Sequence, residues 1–299
     1  MNEMTDAALA VPRGQRIDAH MHLWNLAEGR YAWLTPEFGT LYASWTPEQA
    51  KPELDAAGMA GAVLVQAEDS LADTRFMLDV AAQHPWVLGV VGWVDLTDPD
   101  AAVAPLDEWQ RSSAFCGIRH LLNDDPRRDL LGRPAVIETL AEVGRRGLAF
   151  DVHDSWPDFL DDAAAVARAL PELTLVIDHL GKPPRGSADF ADWKAAIAHV
   201  AEYPNVVGKL SSLRRAGQDF TPDALRETWD HALACFGSER LMYGGDWPMP
   251  VPDGGYAPTW AVMAELIAQL SSPEQWAVLH DTAARVYSLD ALASTRKGN

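Results

Sequence analysis

Two histidines one residue apart, His20 and His22, lead the side chains able to do chemistry. On a strand, residues i and i+2 share a face, so His-x-His sends both imidazoles to one side, a spacing that can chelate a metal ion. Alone the pair is a weak signal. Its company is stronger. Val65-Gln66-Ala67-Glu68, Asp151-Val152-His153, Ile177-Asp178-His179 and Gly244-Gly245-Asp246-Trp247-Pro248 each close an apolar run with a histidine or a carboxylate. One such histidine is more often a satisfied structural residue, but a series of such ends in consistent order is hard to dismiss. His84, His199, His231 and His280 sit on helices or helix ends and read as surface or packing residues.

Short apolar runs at Arg16–His22, Ala60–Gln66, Val87–Trp93, Cys116–His120, Leu148–His153, Leu173–Asp178, Val206–Leu210 and Leu241–Gly245 predict eight strands. They are near-continuous rather than alternating, as parallel strands buried on both faces require. Helical patterns lie between them, with Pro134–Arg146, Pro157–Leu170 and Ala188–Glu202 showing surface-helix spacing. Thr46-Pro47-Glu48-Gln49 reads as a cap, a first-turn proline and a capping-box glutamine, and Ser272-Pro273-Glu274-Gln275 repeats that grammar. Thr221-Pro222 opens another helix, and Gly58 and Gly147 fall at helix stops. Repeated strand–helix alternation predicts an α/β fold, a single-domain (β/α)8 TIM-like barrel over residues 16–299 after a poorly ordered tail, 1–15. A doubly wound open sheet is the runner-up, weakened because no Gly-rich phosphate fingerprint follows the first strand. The long loop from Leu23 to Trp45 is a candidate lid. Polar residues at strand C-termini would then converge on one mouth.

The net charge of -19 argues against nucleic acid, which needs clustered Lys and Arg. It fits an acidic solvated surface or a carboxylate-rich site, and charge alone does not choose. No apolar run is long enough for a membrane span, and Met1 to Gly14 shows no secretory pattern. Cys116 and Cys235 read as buried free thiols, which points to a reducing cytoplasm. Oligomeric state stays open, a homo-oligomer included.

Asp18-Ala19-His20-Met21-His22-Leu23-Trp24, Val65-Gln66-Ala67-Glu68, Gly92-Trp93-Val94-Asp95-Leu96 and Gly117-Ile118-Arg119-His120 together resemble the amidohydrolase superfamily. Asp178-His179-Leu180-Gly181-Lys182-Pro183 and Arg240-Leu241-Met242-Tyr243-Gly244-Gly245-Asp246-Trp247-Pro248 complete the resemblance, which runs from about Arg16 to Leu289. More narrowly the chain resembles the amidohydrolase-related branch of sugar-lactone and dicarboxylate-lactone hydrolases, of the fuconolactonase and rhamnonolactonase kind. The resemblance implies that His20 and His22 match a first-strand metal-binding pair. It implies that His153 and His179 match the fifth- and sixth-strand histidines, and that Asp246 matches the aspartate that activates water. The implied cofactor is one divalent metal ion, zinc by preference, on His20, His22, His153, His179 and Asp246. Some lactonases of this branch work without metal, their histidines contacting substrate instead. Two departures stand out. Many members carry an apolar or amide residue where His153 stands, and no bridging carboxylated lysine is recognisable, so a two-metal site is not expected. Glu68 and His153 are left open between metal ligand and substrate contact.

Ester hydrolysis needs a base for water, an electrophile for the carbonyl and a proton source for the leaving alkoxide. Asp246 among histidines can stay ionised and act as the base, with His179 as its catalytic partner. Arg119 and Lys182 suit an oxyanion, substrate hydroxyls or a carboxylate, and a loop-bracing salt bridge is an equal reading for Lys182. Trp24, Trp33, Trp156, Trp247 and Trp260 are expected near the mouth, as sugar-stacking faces or as packing, and Trp93 is expected in the barrel core. The expectation is a hydrolase of carboxylic ester bonds opening a small sugar or sugar-acid lactone. A metal-dependent decarboxylase of an aromatic or enol acid and a non-catalytic lactone-binding barrel are its rivals.

Overall fold

Runs such as Met59-Ala60-Gly61-Ala62-Val63-Leu64-Val65 are too short and too apolar throughout for a surface helix, and they form strands covered on both sides. The computed structural model of the chain describes residues 8–29 and 31–289. Eight strands, β1 (Arg16–Met21), β2 (Met59–Val65), β3 (Val87–Gly92), β4 (Phe115–His120), β5 (Ala149–Val152), β6 (Thr174–Ile177), β7 (Val206–Leu210) and β8 (Leu241–Tyr243), follow one another in the sheet in chain order. Every neighbouring pair is parallel. Each strand is followed by a helix: α1 (Pro47–Ala57), α2 (Leu71–Gln83), α3 (Pro99–Trp109), α4 (Pro134–Arg145), α5 (Leu160–Ala169), α6 (Phe190–Ala201), α7 (Pro222–Phe236) and α8 (Tyr256–Ile267). This is the (β/α)8 barrel.

The predicted strands overrun the observed ones mainly at their C-terminal ends. His22, Gln66, Trp93, His153, Asp178 and Gly245 all lie just beyond the ladder, at the end of the barrel where the mouth forms. Between β8 and β1 the junction is made by the residues after β8. Asp246 N–H donates to the His20 carbonyl at 2.8 Å, and His22 N–H to the Trp247 carbonyl at 2.7 Å.

Two layers of apolar side chains support the sheet. One fills the barrel interior, where Ile17, Ala19, Val63, Val65, Val91, Val176, Val207 and Met242 meet Val286, Tyr287 and Leu289 from the C-terminal segment. The other lies between strands and helices; α4 contributes Val136, Leu140 and Val143 from one face. Of the tail 1–15, residues 1–7 lie outside the described residues, as do 290–299; Leu9 and Val11 are buried in the outer layer.

Caps follow the expected grammar with one shift. Thr46 N–H donates to Gln49 Oε1 at 2.9 Å, and Ala224 N–H to Thr221 Oγ1 at 3.2 Å. Near the C-terminus the cap is Ser271, not Ser272, because Ser271 N–H is the one that reaches Glu274 Oε2, at 2.9 Å. Two tryptophans also sit elsewhere than expected. Trp260 is on the inward face of α8, packed edge-on to Tyr243 with ring centroids 4.9 Å apart and with the guanidinium of Arg16, the first residue of β1, 5.7 Å from its ring centroid. Trp93 falls just past β3, half-buried, where its Nε1–H donates to His120 Nδ1 at 3.1 Å.

Candidate active site

His20 reaches the barrel interior through an irregularity in β1. Ala19 packs in the interior and Met21 in the outer layer, and the pairing register shifts between Asp18 and Met21. A bulge of this kind re-aims a side chain that strict alternation would send outward. Asp18 holds it, accepting from His20 N–H and Gly245 N–H, each at 2.9 Å, and from the Tyr256 hydroxyl at 2.6 Å. Burial pushes the Asp18 carboxyl up to about 6.

The other strand ends carry unusual backbone. Asp154, His179, Lys182, Ser212 and Asp246 all have positive φ, from 32° to 66°. Each such conformation costs a non-glycine residue about 1–2 kcal/mol and persists only where surroundings enforce it, commonly at functional sites. Here all five follow β5, β6, β7 or β8 and face the same end.

At the centre, His22 Nε2 lies 3.1 Å from His20 Nε2 and 3.3 Å from Asp246 Oδ1, and His20 Nε2 lies 3.6 Å from that oxygen. Ligands at zinc–nitrogen and zinc–oxygen distances in a tetrahedron stand about 3.3 Å apart. The donor triangle therefore fits a metal ion. His179 adjoins it, its ring centroid 4.6 Å from that of His20, and its Nδ1 contacts Ser211 Oγ at 2.7 Å. The donor atoms of His20, His22 and Asp246 lie close enough together that they could hold an ion, and those of His20, Asp178 and His179 make a second such group.

Electrostatics suit ligands. Burial holds His20 and His179 below the usual histidine range, so both are neutral with a lone pair to give. Burial alone would raise Asp246, but His179, His22 and His20 outweigh it and hold the carboxyl well below the usual range. Asp246 is ionised.

A cavity of about 230 Å³ opens onto this centre, walled by His22, Asp246, His179, His153, Arg119 and Lys182, with Trp24, Trp33 and Phe38 across from them. His153 belongs to the wall and to neither ligand group; burial lowers it to about 3. Arg119 is buried, donating through Nη2 to the Gln66 carbonyl and through Nη1 to Asp178 Oδ2 at 3.3 Å. Lys182 pairs with Asp154. Glu68 stands apart from the cavity: it accepts from Tyr31 N–H at 2.7 Å and from the Ser70 hydroxyl at 2.9 Å.

Two further polar residues at this site, Asp154 and Lys209, escaped the sequence reading, which named Asp151 and Asp178 at strand ends without giving them a role. Asp154 lines the cavity with Oδ1 unpartnered among the described residues. Burial would raise it, but His153, His179 and Lys182 lower it to about 2. Beneath the histidines lies a fully buried network in which Lys209 Nζ reaches Asp151 Oδ2 at 2.5 Å, Asp178 Oδ1 at 3.1 Å and His20 Nδ1 at 3.1 Å. Burial works against the Lys209 ammonium, yet Asp151 and Asp178 more than compensate and its pKa is raised. One signal was available: a lysine inside Val206-Val207-Gly208-Lys209-Leu210, since lysine is almost never buried unless paired.

A protein-family model described as Amidohydrolase matches residues 17–289. An L-fucono-1,5-lactonase of Burkholderia ambifaria is 38% identical over 237 residues, covering 78% of this chain and 80% of the relative. An L-fucono-1,5-lactonase of Burkholderia multivorans is 30% identical over 305 residues, covering 94% and 98%. Among solved structures, an amidohydrolase from Burkholderia multivorans with bound Zn superposes with a TM-score of 0.81 at 31% identity, covering 91% of this chain and 99% of that one.

Proposed function

The chain belongs to the amidohydrolase family, and from that premise we propose that it is a lactonase opening a small sugar or sugar-acid lactone, with Asp246 taking the proton of the attacking water. The observation that carries this reading is the ionised Asp246 carboxylate, 3.3 Å and 3.6 Å from two imidazoles at the foot of a cavity walled by aromatic rings and polar side chains. Two L-fucono-1,5-lactonases among its relatives support the substrate class.

His20, His22 and Asp246, with His179 beside them, would hold one divalent ion, zinc by the nitrogen-rich donor set and by the Zn-bound relative. When bound, such an ion lowers the pKa of water and polarises a carbonyl. Asp246 orients water against the lactone carbonyl and accepts its proton. As the carbonyl carbon becomes tetrahedral, Arg119 and Lys182 offer positive charge toward the developing oxyanion. The ring C–O bond then breaks, and the proton held by Asp246 passes to the leaving alkoxide, which completes a hydroxy acid. Trp33, packed edge-to-face with the buried Trp24, would offer its ring to sugar C–H groups, and Asp154 Oδ1 and His153 Nδ1, both unpartnered among the described residues, suit ring hydroxyls. Glu68, occupied by Tyr31 and Ser70, is left outside this scheme. No helix of the described residues is long and apolar enough to cross a membrane, and two free thiols fit a reducing cytoplasm.

Acid release from a panel of aldonolactones tests the reading, before and after chelation. The expected result is turnover of at least one lactone, lost on chelation and restored by zinc, with Asp246→Asn about 10²–10⁴-fold slower. Equal turnover by wild type and Asp246→Asn would refute the role of Asp246. Full activity in metal-free protein would make the histidines substrate contacts.

A further inference from the structure

Two buried groups of opposite charge compete for one nitrogen. Lys209 Nζ is 3.1 Å from His20 Nδ1, and Asp178 Oδ1 is 3.3 Å from the same atom. An ammonium can only donate and an ionised carboxylate can only accept. A neutral imidazole has one proton to place, so Nδ1 answers one partner at a time. If Nδ1 accepts from Lys209, the proton sits on Nε2. If Nδ1 donates to Asp178, Nε2 is left with a bare lone pair.

The far side of the ring makes that choice consequential. His20 Nε2 faces His22 Nε2 at 3.1 Å. His22 Nδ1 is 2.7 Å from the Val65 carbonyl, an acceptor only, so Nδ1 carries a proton; in the neutral ring Nε2 then carries the lone pair, as a metal ligand must, with Asp246 Oδ1 3.3 Å away. A proton on His20 Nε2 therefore has an acceptor waiting. It also stands where a metal ion would bind, and an imidazole nitrogen can ligate only without its proton.

We propose that Lys209 and Asp178 form a tautomer selector for His20. In the metal-free site Lys209 donates to Nδ1 and His20 Nε2–H donates to His22. On metal binding the imidazole proton leaves Nε2 and one is taken up at Nδ1, where Asp178 accepts it. His20 is neutral in both states, so no proton is lost from it overall. Both partners are positioning residues, fully buried and out of reach of substrate. The inference rests on the reading of this site as a metal centre; it is independent of which lactone is opened.

The decisive measurement uses the wild-type protein with ¹⁵N-labelled histidine, recorded metal-free and zinc-loaded, the His20 signals being assigned by their loss in His20→Gln. Imidazole ¹⁵N shifts report which ring nitrogen is protonated. The expected result is Nε2–H in the metal-free protein and Nδ1–H after zinc. Nδ1–H already present without metal would overturn the proposal. Nε2–H combined with failure to bind zinc would reject the metal reading and the selector with it, while lactone hydrolysis, assayed separately, reports on the lactonase reading. Two variants add a signature that a purely structural role lacks, read as zinc affinity by competition with a chelating dye. Asp178→Asn should weaken zinc about 10–100-fold, whereas Lys209→Met, which removes the competing donor, should bind zinc at least as tightly as wild type. Equal weakening in both folded variants would count against selection.

Discussion

Neutral histidines set between ionised carboxylates give single residues at this site a measurable pH signature. His153 is the simplest case, because it belongs to neither ligand group and burial holds it at about 3. In the unfolded chain it titrates near 6.5. Between those values the unfolded state carries a proton that the native state refuses, so stability present above about 6.5 is lost as pH falls toward about 3. His153→Gln should remove that dependence, flattening the profile of unfolding free energy by up to about 1.4 kcal/mol per pH unit in the window. Denaturant titrations of both proteins from pH 7.5 to 4.5 check it, and parallel profiles would show that His153 does not titrate this way. The sequence located His20, His22, His153, His179 and Asp246 because each ends an apolar run. Glu68 ends one too, but Tyr31 N–H, contributed by another segment, occupies its carboxylate.

At the scale of elements, the loop after β1 has a fold of its own. Its ends are tied by paired backbone bonds between Trp24 and Trp45, at 3.2 Å and 2.9 Å. Inside them Trp24, Tyr31, Leu34 and Leu41 form a small core with Ala67. Trp33 reaches over the cavity with its Nε1–H on the Ala67 carbonyl at 2.7 Å. A ring that contributes binding surface and no proton chemistry should act on substrate affinity. Trp33→Ala is expected to raise KM for the best lactone about tenfold, a loss of about 1.4 kcal/mol, with kcat less affected. Steady-state kinetics separate the two, and an unchanged KM would place Trp33 in packing alone. The loop's length marked it as a candidate lid, but its internal contacts depend on residues that no short window relates.

For the whole molecule, the junction between the first and last strands is the critical joint, because it also carries Asp246, the proposed base. Gly244 and Gly245 allow it: a Cβ at Gly245 would lie 2.3 Å from Tyr256 Cε2 and 2.6 Å from Asp18 Oδ2. Tyr256 is buried and bonded to Asp18, so neither can yield easily. Gly245→Ala should destabilise the protein by about 1–3 kcal/mol, as overpacking does, and lower kcat by displacing Asp246. Gly132→Ala, where a Cβ meets nothing within 4 Å, serves as the control. Equal melting temperatures for the two variants would show that the joint tolerates a methyl group.

The barrel, the order of its elements and the strand-end histidines were legible in the chain because they rest on local regularities: apolar run length, helical periodicity and the turn residues between them. Tertiary structure alone decided that the β1 bulge turns His20 inward, that Asp246 stands 3.3 Å from His22, and that a buried lysine is held by Asp151 and Asp178. Those facts join strands far apart in sequence. A charge can enter the barrel core only if other strands bring its counter-charges, and no local pattern encodes that meeting.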